Sequence, residues 1–198
     1  MTNEFSIKKF DDLTSVDVYH ILRARAQVFV VEQNCPYQDM DELDFDCLHL
    51  IAHQNEMLVG YCRIIPPEFN TLKSLSSPAN QISAIGRVLV LAPYRGSGLA
   101  RQIMVQAINY CRKHYGKKRP IVISAQTYLL SFYESLGFVV EGGRYLEDGI
   151  EHVTMVLPPV KKVKVKKENS KSTVGTILTF LLLILGLMFI AGLIYLMT

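Results

Sequence analysis

With 198 residues, 49% of them hydrophobic and 20% charged, the chain has the length of one ordinary domain and enough apolar material for a proper core. Its net charge of +3 is unevenly placed: Lys161 to Thr173 holds six lysines against Glu168, about +5, which leaves about −2 for residues 1–160. A body of that charge lacks the basic surface that phosphate backbones demand, so no nucleic-acid partner is expected.

Phe5 to Phe10 alternates apolar and polar residues and predicts a first strand. Asp11, Asp12 and Thr14 mark a turn, and Ser15 or Asp17 stands where a helix cap belongs. In that helix Val18, Ile21, Leu22, Arg25, Val28 and Phe29 form an imperfect apolar stripe reaching about Val31. Arg23 and Arg25 fall inside it and are expected to face solvent or to be paired. The next stretch, Glu32 to Asp39, opens an acidic loop with five carboxylates from Asp39 to Asp46. Either it is simply solvated, or it lines a pocket in which negative potential concentrates a cationic amine.

Cys47 to Ala52 and Leu58 to Ile65 predict a hairpin turning at Gln54-Asn55-Glu56 and ended by Pro66-Pro67. The polar loop Asn70 to Asn80 leads to an apolar run, Ile85 to Leu91, which predicts a mostly buried strand stopped by Pro93. Leu99, Ala100, Ile103, Met104, Ala107, Ile108 and Cys111 then recur at the spacing of a helix's buried stripe. Between strand and helix stands Arg95-Gly96-Ser97-Gly98. Two glycines there make a tight turn, and the unpartnered amides of the helix's first turn favour an anion, most often a phosphate. After a turn at Gly116 to Pro120, Ile121 to Ala125 predicts another buried strand, and Tyr128 to Leu136 a short helix closed by Gly137. Phe138 to Glu141 and His152 to Leu157 predict a last strand pair, separated by Glu147-Asp148-Gly149. The order gives an α/β sheet, antiparallel at its start, with a parallel pair around the central helix.

Val174 to Met197 runs 24 residues without a charge, about 36 Å of helix against a hydrocarbon core of about 30 Å. It is expected to be a transmembrane helix. The lysines just before it place the body on the cytoplasmic side, and Met1 to Ser6 has no apolar export signal. The expected division is therefore a folded domain at 1–158, a Lys-rich linker at 159–173 and a bilayer anchor at 174–197. No two-glycine small-xxx-small pattern joins Gly175, Gly186 and Gly192, so nothing there sets an oligomeric state. Cys35, Cys47, Cys62 and Cys111 form no Cys-x-x-Cys pair and the five histidines no zinc spacing, so no metal is expected.

Two segments carry a resemblance. Arg95-Gly96-Ser97-Gly98-Leu99-Ala100 resembles the acyl-CoA-binding motif of the GNAT acetyltransferase superfamily, Arg/Gln-x-x-Gly-x-Gly/Ala. Phe132-Tyr133-Glu134-Ser135-Leu136-Gly137-Phe138 resembles its second signature, in which a tyrosine precedes Gly-Phe. More narrowly, Val28 to Asp39, Ser124-Ala125-Gln126 and Tyr145 to His152 are similar to the ElaA group. The likeness covers about residues 5–157; Gln126 departs from the asparagine common in the wider superfamily.

The resemblance implies a GNAT-like mixed sheet flanked by helices and acetyl-CoA as cosubstrate. Its diphosphate would take the turn Arg95, Gly96, Ser97, Gly98, Leu99 and Ala100, and its pantetheine arm the edge Val88, Leu89 and Val90, splayed from the next strand, with Gln126 beside it. It implies Tyr133 as the acid for the departing thiolate. Glu32, His49, Asp148 and His152 are candidate bases, and Glu32, Tyr37, Asp39 and Asp148 candidate acceptor contacts. The expected activity is N-acetyl transfer to a primary amine at a membrane; a non-catalytic acyl-CoA-binding or scaffolding module is the alternative.

Overall fold

The computed structural model of the protein describes residues 2–72, 78 and 81–160; the linker from Lys161 and the apolar segment 174–197 lie outside them. Among the described residues no helix is long and apolar enough to cross a membrane. Seven strands, β1 (Glu4–Lys9), β2 (Leu48–Gln54), β3 (Met57–Ile65), β4 (Ser83–Val90), β5 (Ile121–Gln126), β6 (Val139–Glu147) and β7 (Ile150–Leu157), form one sheet in the order β1-β2-β3-β4-β5-β7-β6. Every neighbouring pair is antiparallel except β4 and β5, which the crossover helix α2 (Leu99–His114) joins in parallel. The mixed sheet expected from the sequence is present, with α1 (Ser15–Arg25) on one face and α2 and α3 (Leu130–Glu134) on the other.

The apolar stripe of α2 explains its docking. Leu99, Ile103, Met104, Ala107 and Cys111 are buried against Leu50, Val59, Cys62 and Ile85 of the sheet. Gly60 lets the helix approach closely, because a Cβ there would stand 2.6 Å from the Ile103 Cδ1.

The cap of α1 is Thr14, whose hydroxyl accepts a first-turn N–H, and not Ser15 or Asp17. Asp17 is the other half of a capping box. Its backbone N–H donates to Thr14 Oγ1 at 3.1 Å, and its carboxylate accepts the Thr14 N–H at 2.9 Å. Slight burial would raise the Asp17 pKa, but Lys8 at 2.9 Å and the Thr14 donors outweigh it and lower the value to about 2. Past Arg25 the helix widens into π turns over Ala26–Glu32 before it ends at Gln33 and Asn34.

The acidic loop is only partly solvated: Glu42 and Asp46 are exposed, while Asp39, Asp41 and Asp44 are drawn into ion pairs. Three arginines hold it. Arg25, fully buried, donates from Nε to Asp39 at 2.8 Å and from Nη1 to Asp44 at 2.7 Å. Arg63 grips Asp41 at 2.5 Å and Asp44 at 2.7 Å, and Arg87 of β4 grips Asp39 at 2.7 Å. These pairs consume the loop's inner carboxylates, so its potential is mostly cancelled by partners that lie 14 to 48 residues away.

Asp44 is the shared anion between two buried guanidinium groups. Asp44→Ala is expected to cost about 3 kcal/mol, measured by urea unfolding, because each buried guanidinium loses one of its two carboxylates, Arg25 keeping Asp39 and Arg63 keeping Asp41. Burial alone would raise Asp39 and Asp41, yet the neighbouring arginines hold both below the usual carboxylate range. Groups lowered in this way contribute stability that is complete above about pH 4 and is lost as pH falls through the folded values. Thermal melts should therefore weaken steadily between about pH 4 and 2, the latter being the Asp17 value. A flat melting temperature across that window would contradict the assignment.

Candidate active site

The site begins where two strands part. β4 and β5 pair only at Ser83↔Ile121 and Ala84↔Val122, and beyond them the strands diverge. On its other side β4 stays bonded to β3, with Tyr61↔Leu89 and Gly60↔Val90 in register. Leu91 donates its N–H to the Val59 carbonyl at 3.0 Å. Bonding alternates along an antiparallel ladder, so the N–H and C=O of Val90 turn away from β3 into the opened side. The carbonyl accepts Arg95 Nε at 2.8 Å; the N–H of Val90 is left facing the gap.

The glycine turn lies at the same end. Gly96 and Gly98 have φ of +75° and +80°, which an L side chain rarely adopts, and Gly98 is the residue from which α2 starts. Arg95, Gly96, Ser97 and Gly98 are exposed, and the first helical bond at this end is Gln102 N–H to the Gly98 carbonyl at 3.2 Å. The amides of Leu99, Ala100 and Arg101 thus have no helical acceptor. Ser97 Oγ donates back to the Tyr94 carbonyl at 2.7 Å and braces the turn. Arg95 does not point freely at this cradle, because its Nη2 is paired with Glu32 at 2.5 Å.

Tyr133 is held by the end of its own helix. Gly137, at φ +91°, donates its N–H to the Glu134 carbonyl at 2.9 Å, and Phe138 donates to the Tyr133 carbonyl at 3.2 Å. This double closure is a Schellman motif, which is why the tyrosine, the glycine and the phenylalanine keep their spacing. Phe132 and Phe138 meet the Tyr133 ring edge-on at centroid distances of 5.0 and 6.0 Å. Burial pushes its hydroxyl well above the ordinary tyrosine range, with Cys62 and Tyr128 adding to the shift. The group therefore carries its proton throughout the neutral range.

The candidate bases separate by environment. His49 is 1% exposed, with one ring nitrogen 2.8 Å from the Tyr61 hydroxyl and the other 3.0 Å from the Asp44 carbonyl. Burial holds its pKa below the usual histidine value. Both nitrogens are engaged within the acidic-loop anchor, so His49 is a structural residue and not a base. Asp39, 6% exposed and bonded to Arg25, Arg87 and Tyr37, has no face left for an acceptor. Glu32, exposed, pairs one carboxylate oxygen with Arg95.

Tyr37 and Asp148 do come together. They line a cleft of about 420 Å³ between residues Gln33 to Tyr37 and the β6–β7 turn. Cys35 Sγ, 3.2 Å from the Asp148 carbonyl, ties its two walls. Beside it, Gln126, His152 and Tyr145 stand in one row across β5, β7 and β6. Gln126 exchanges hydrogen bonds of 3.2 and 3.3 Å with Gln33 and accepts the Tyr128 hydroxyl at 2.5 Å, so its side chain belongs to the acceptor side. His152 has Nδ1 at 2.9 Å from the Ile150 carbonyl and its ring stacked on Tyr145.

Reading the residues alone gave no role to Gln33, Ser124, Tyr145 or Glu147. Ser124 Oγ is 2.7 Å from both the Tyr145 hydroxyl and the Glu147 carboxylate. The signal lay in Ser124-Ala125-Gln126 and in the segment Tyr145 to His152, whose alternate residues share the face of the sheet on which Gln126 stands.

Residues 11–158 match the family described as acetyltransferase (GNAT) domain. A UPF0039 protein of Schizosaccharomyces pombe is 38% identical over 155 residues, 78% of this chain and 96% of its own length. The solved structure of Escherichia coli ElaA is 36% identical with a TM-score of 0.67, covering 78% of this chain and 99% of that one. An acyl-CoA N-acyltransferase from Pseudomonas aeruginosa is 35% identical with a TM-score of 0.70 over the same shares.

Because Gly98 needs a positive φ at the helix start, Gly98→Ala is expected to strain the turn by about 1 kcal/mol, roughly a fivefold loss in coenzyme A affinity. Calorimetric titration of the full-length chain measures it, and unchanged affinity would remove the turn from the ligand site.

Proposed function

This chain belongs to the GNAT acetyltransferase family, and from that premise we propose that it moves an acetyl group from acetyl-CoA to a primary amine by direct attack, while tethered to the cytoplasmic face of a membrane. The observation that carries the reading is the early parting of β4 and β5 beside an exposed amide turn and a buried, protonated Tyr133.

The residues divide the work. The amides of Gly96 to Ala100 suit a diphosphate, with the positive end of α2 behind them. The outer edge of β4 offers Val88 and Val90 as backbone partners for an extended, amide-bearing arm, Leu89 between them being turned to β3. The Val90 N–H faces the gap and is placed to donate to the oxyanion that forms when nitrogen attacks the thioester carbon. As the C–S bond breaks, Tyr133 hands its proton to the thiolate, for which a phenol kept protonated by burial is a suitable donor. The acceptor enters from the opposite face, through the cleft at Tyr37 and Asp148.

A primary amine is mostly protonated at neutral pH and attacks only when neutral. Of the four expected bases, Asp148 lines the cleft and His152 lies behind it, its Nδ1 on the carbonyl of the lining residue Ile150. Three of the loop's five carboxylates are bound to arginines, so most of its negative charge is already paired. For the tether, the lysine run and the uncharged Val174 to Met197 support a single bilayer anchor with its basic side in the cytoplasm.

In the full-length chain in detergent, Tyr133→Phe is expected to lower kcat by about 10²-fold, at the low end for a lost acid, with little change in acetyl-CoA affinity. Turnover is followed by free thiol release over a panel of primary amines. Equal loss of turnover and affinity would count against the acid role, and binding without thiol release across the panel would favour a non-catalytic module.

A further inference from the structure

The Ser124 hydroxyl has one hydrogen and two close partners. The Glu147 carboxylate, at 2.7 Å, can only accept, so Ser124 donates there. The second contact, 2.7 Å to the Tyr145 hydroxyl, is then donated by the tyrosine. The three side chains form a hydrogen-bond chain with a fixed direction: Tyr145 to Ser124 to Glu147. It starts on β6, crosses the face of β7 to β5 at the open side of the strand gap, and returns to Glu147 at the exposed end of β6. Alternation along β5 puts Ile123 and Ala125 in the core with Tyr133 and leaves Ser124 on the acceptor face.

The surroundings leave the chain unopposed. Among the described residues no cation pairs with Glu147. Arg144 is paired with Glu151 at 3.1 Å, and neither occupies the alternate positions that Tyr145 and Glu147 share. Asp148 follows in the turn with its carbonyl taken by Cys35. His152 stacks on the Tyr145 ring at 6.2 Å with its Nδ1 on the Ile150 carbonyl. On the far side, Gln126 is occupied by Gln33 and Tyr128.

Building on the acyltransferase reading, we propose that Tyr145, Ser124 and Glu147 are the proton exit of the acceptor site, carrying the proton of a bound primary ammonium ion to water. The ammonium nitrogen gives one proton to the Tyr145 oxygen as the Tyr145 hydrogen passes to Ser124 and the Ser124 hydrogen to Glu147. Glu147, exposed, then releases it to solvent. The neutral amine attacks, the C–N bond forms and the C–S bond breaks. The thiolate takes the Tyr133 proton, and the nitrogen's second proton restores Tyr133. Bulk pH sets how much neutral amine exists; the chain supplies the route by which it forms inside the cleft.

The experiment compares two acceptors in the full-length chain in detergent at neutral pH. n-Butylamine arrives as the ammonium ion, whereas 2,2,2-trifluoroethylamine, its nitrogen weakened by fluorine, arrives neutral. Glu147→Gln, which keeps an acceptor for Ser124, and Ser124→Ala, which cuts the chain, are each expected to slow thiol release with butylamine by about 10²-fold. With trifluoroethylamine each should stay within a small factor of the unaltered chain, and acetyl-CoA binding should not change. Equal losses with both amines, or no loss with butylamine, overturn the proposal. So does an amine-selective loss confined to His152→Gln, which would make the imidazole the proton acceptor. Transfer to neither amine by an unaltered chain that binds acetyl-CoA overturns it too, since the route asks nothing beyond a primary ammonium. Failure of that chain to bind acetyl-CoA at all would instead remove the acyltransferase reading on which it rests.

Discussion

The parallel pairing of β4 with β5 stops after two residue pairs, and the rest of the site depends on that stop. A continuous ladder would have satisfied the outward backbone groups of Val88 and Val90 and closed the sheet. Instead β4 is anchored on one side only, by β3, and offers a strand edge in the middle of a sheet. Unpaired edges are a liability in most folds, tolerated where something else is meant to bond to them. α2 starts at the same end, so on the proposed reading its free amides and the free edge address one extended ligand from two directions.

A second constraint is electrostatic. Arg25, Arg63 and Arg87 draw Asp39, Asp41 and Asp44 inward and fasten the loop between α1 and β2 to the sheet. The same pairing carries Tyr37 to the cleft wall, since its hydroxyl donates to Asp39 at 2.8 Å. A charge run that resembles a lure for cations is therefore a clamp. Its energetic value lies less in attraction than in the penalty for leaving any one of those buried ions alone.

Local chemistry was readable in the sequence and distant chemistry was not. The strands, the α2 stripe, the glycine turn and the Gly137 cap follow from periodicity and from backbone conformations that few residues tolerate, all settled within a dozen positions. The sequence does not single out Thr14 as the cap, because serine and aspartate nearby are equally eligible by type; only the reciprocal bonds with Asp17 decide it. The π turns over Ala26–Glu32 have no compositional mark. His49 and Asp39 were misread for a common reason: a titratable side chain looks available until its partners, some tens of residues away, are brought against it. The reverse held for Ser124 and Glu147, ordinary residues on separate strands that gain meaning only from cross-sheet register. The proposed bilayer segment rests on hydropathy and charge asymmetry in the sequence.

Tyr133 lies among the core side chains on the α2 and α3 side of β5, and Ser124 faces the other way. On the proposed assignments, one strand thus separates the place where a proton is handed in from the place where one is let out. Were both duties on a single surface, the acid could discharge straight into the drain and arrive at the leaving sulfur already spent. On that reading the pleat of β5 holds the acid and the proton exit on opposite faces of one peptide chain, joined only through the nitrogen of the acceptor itself.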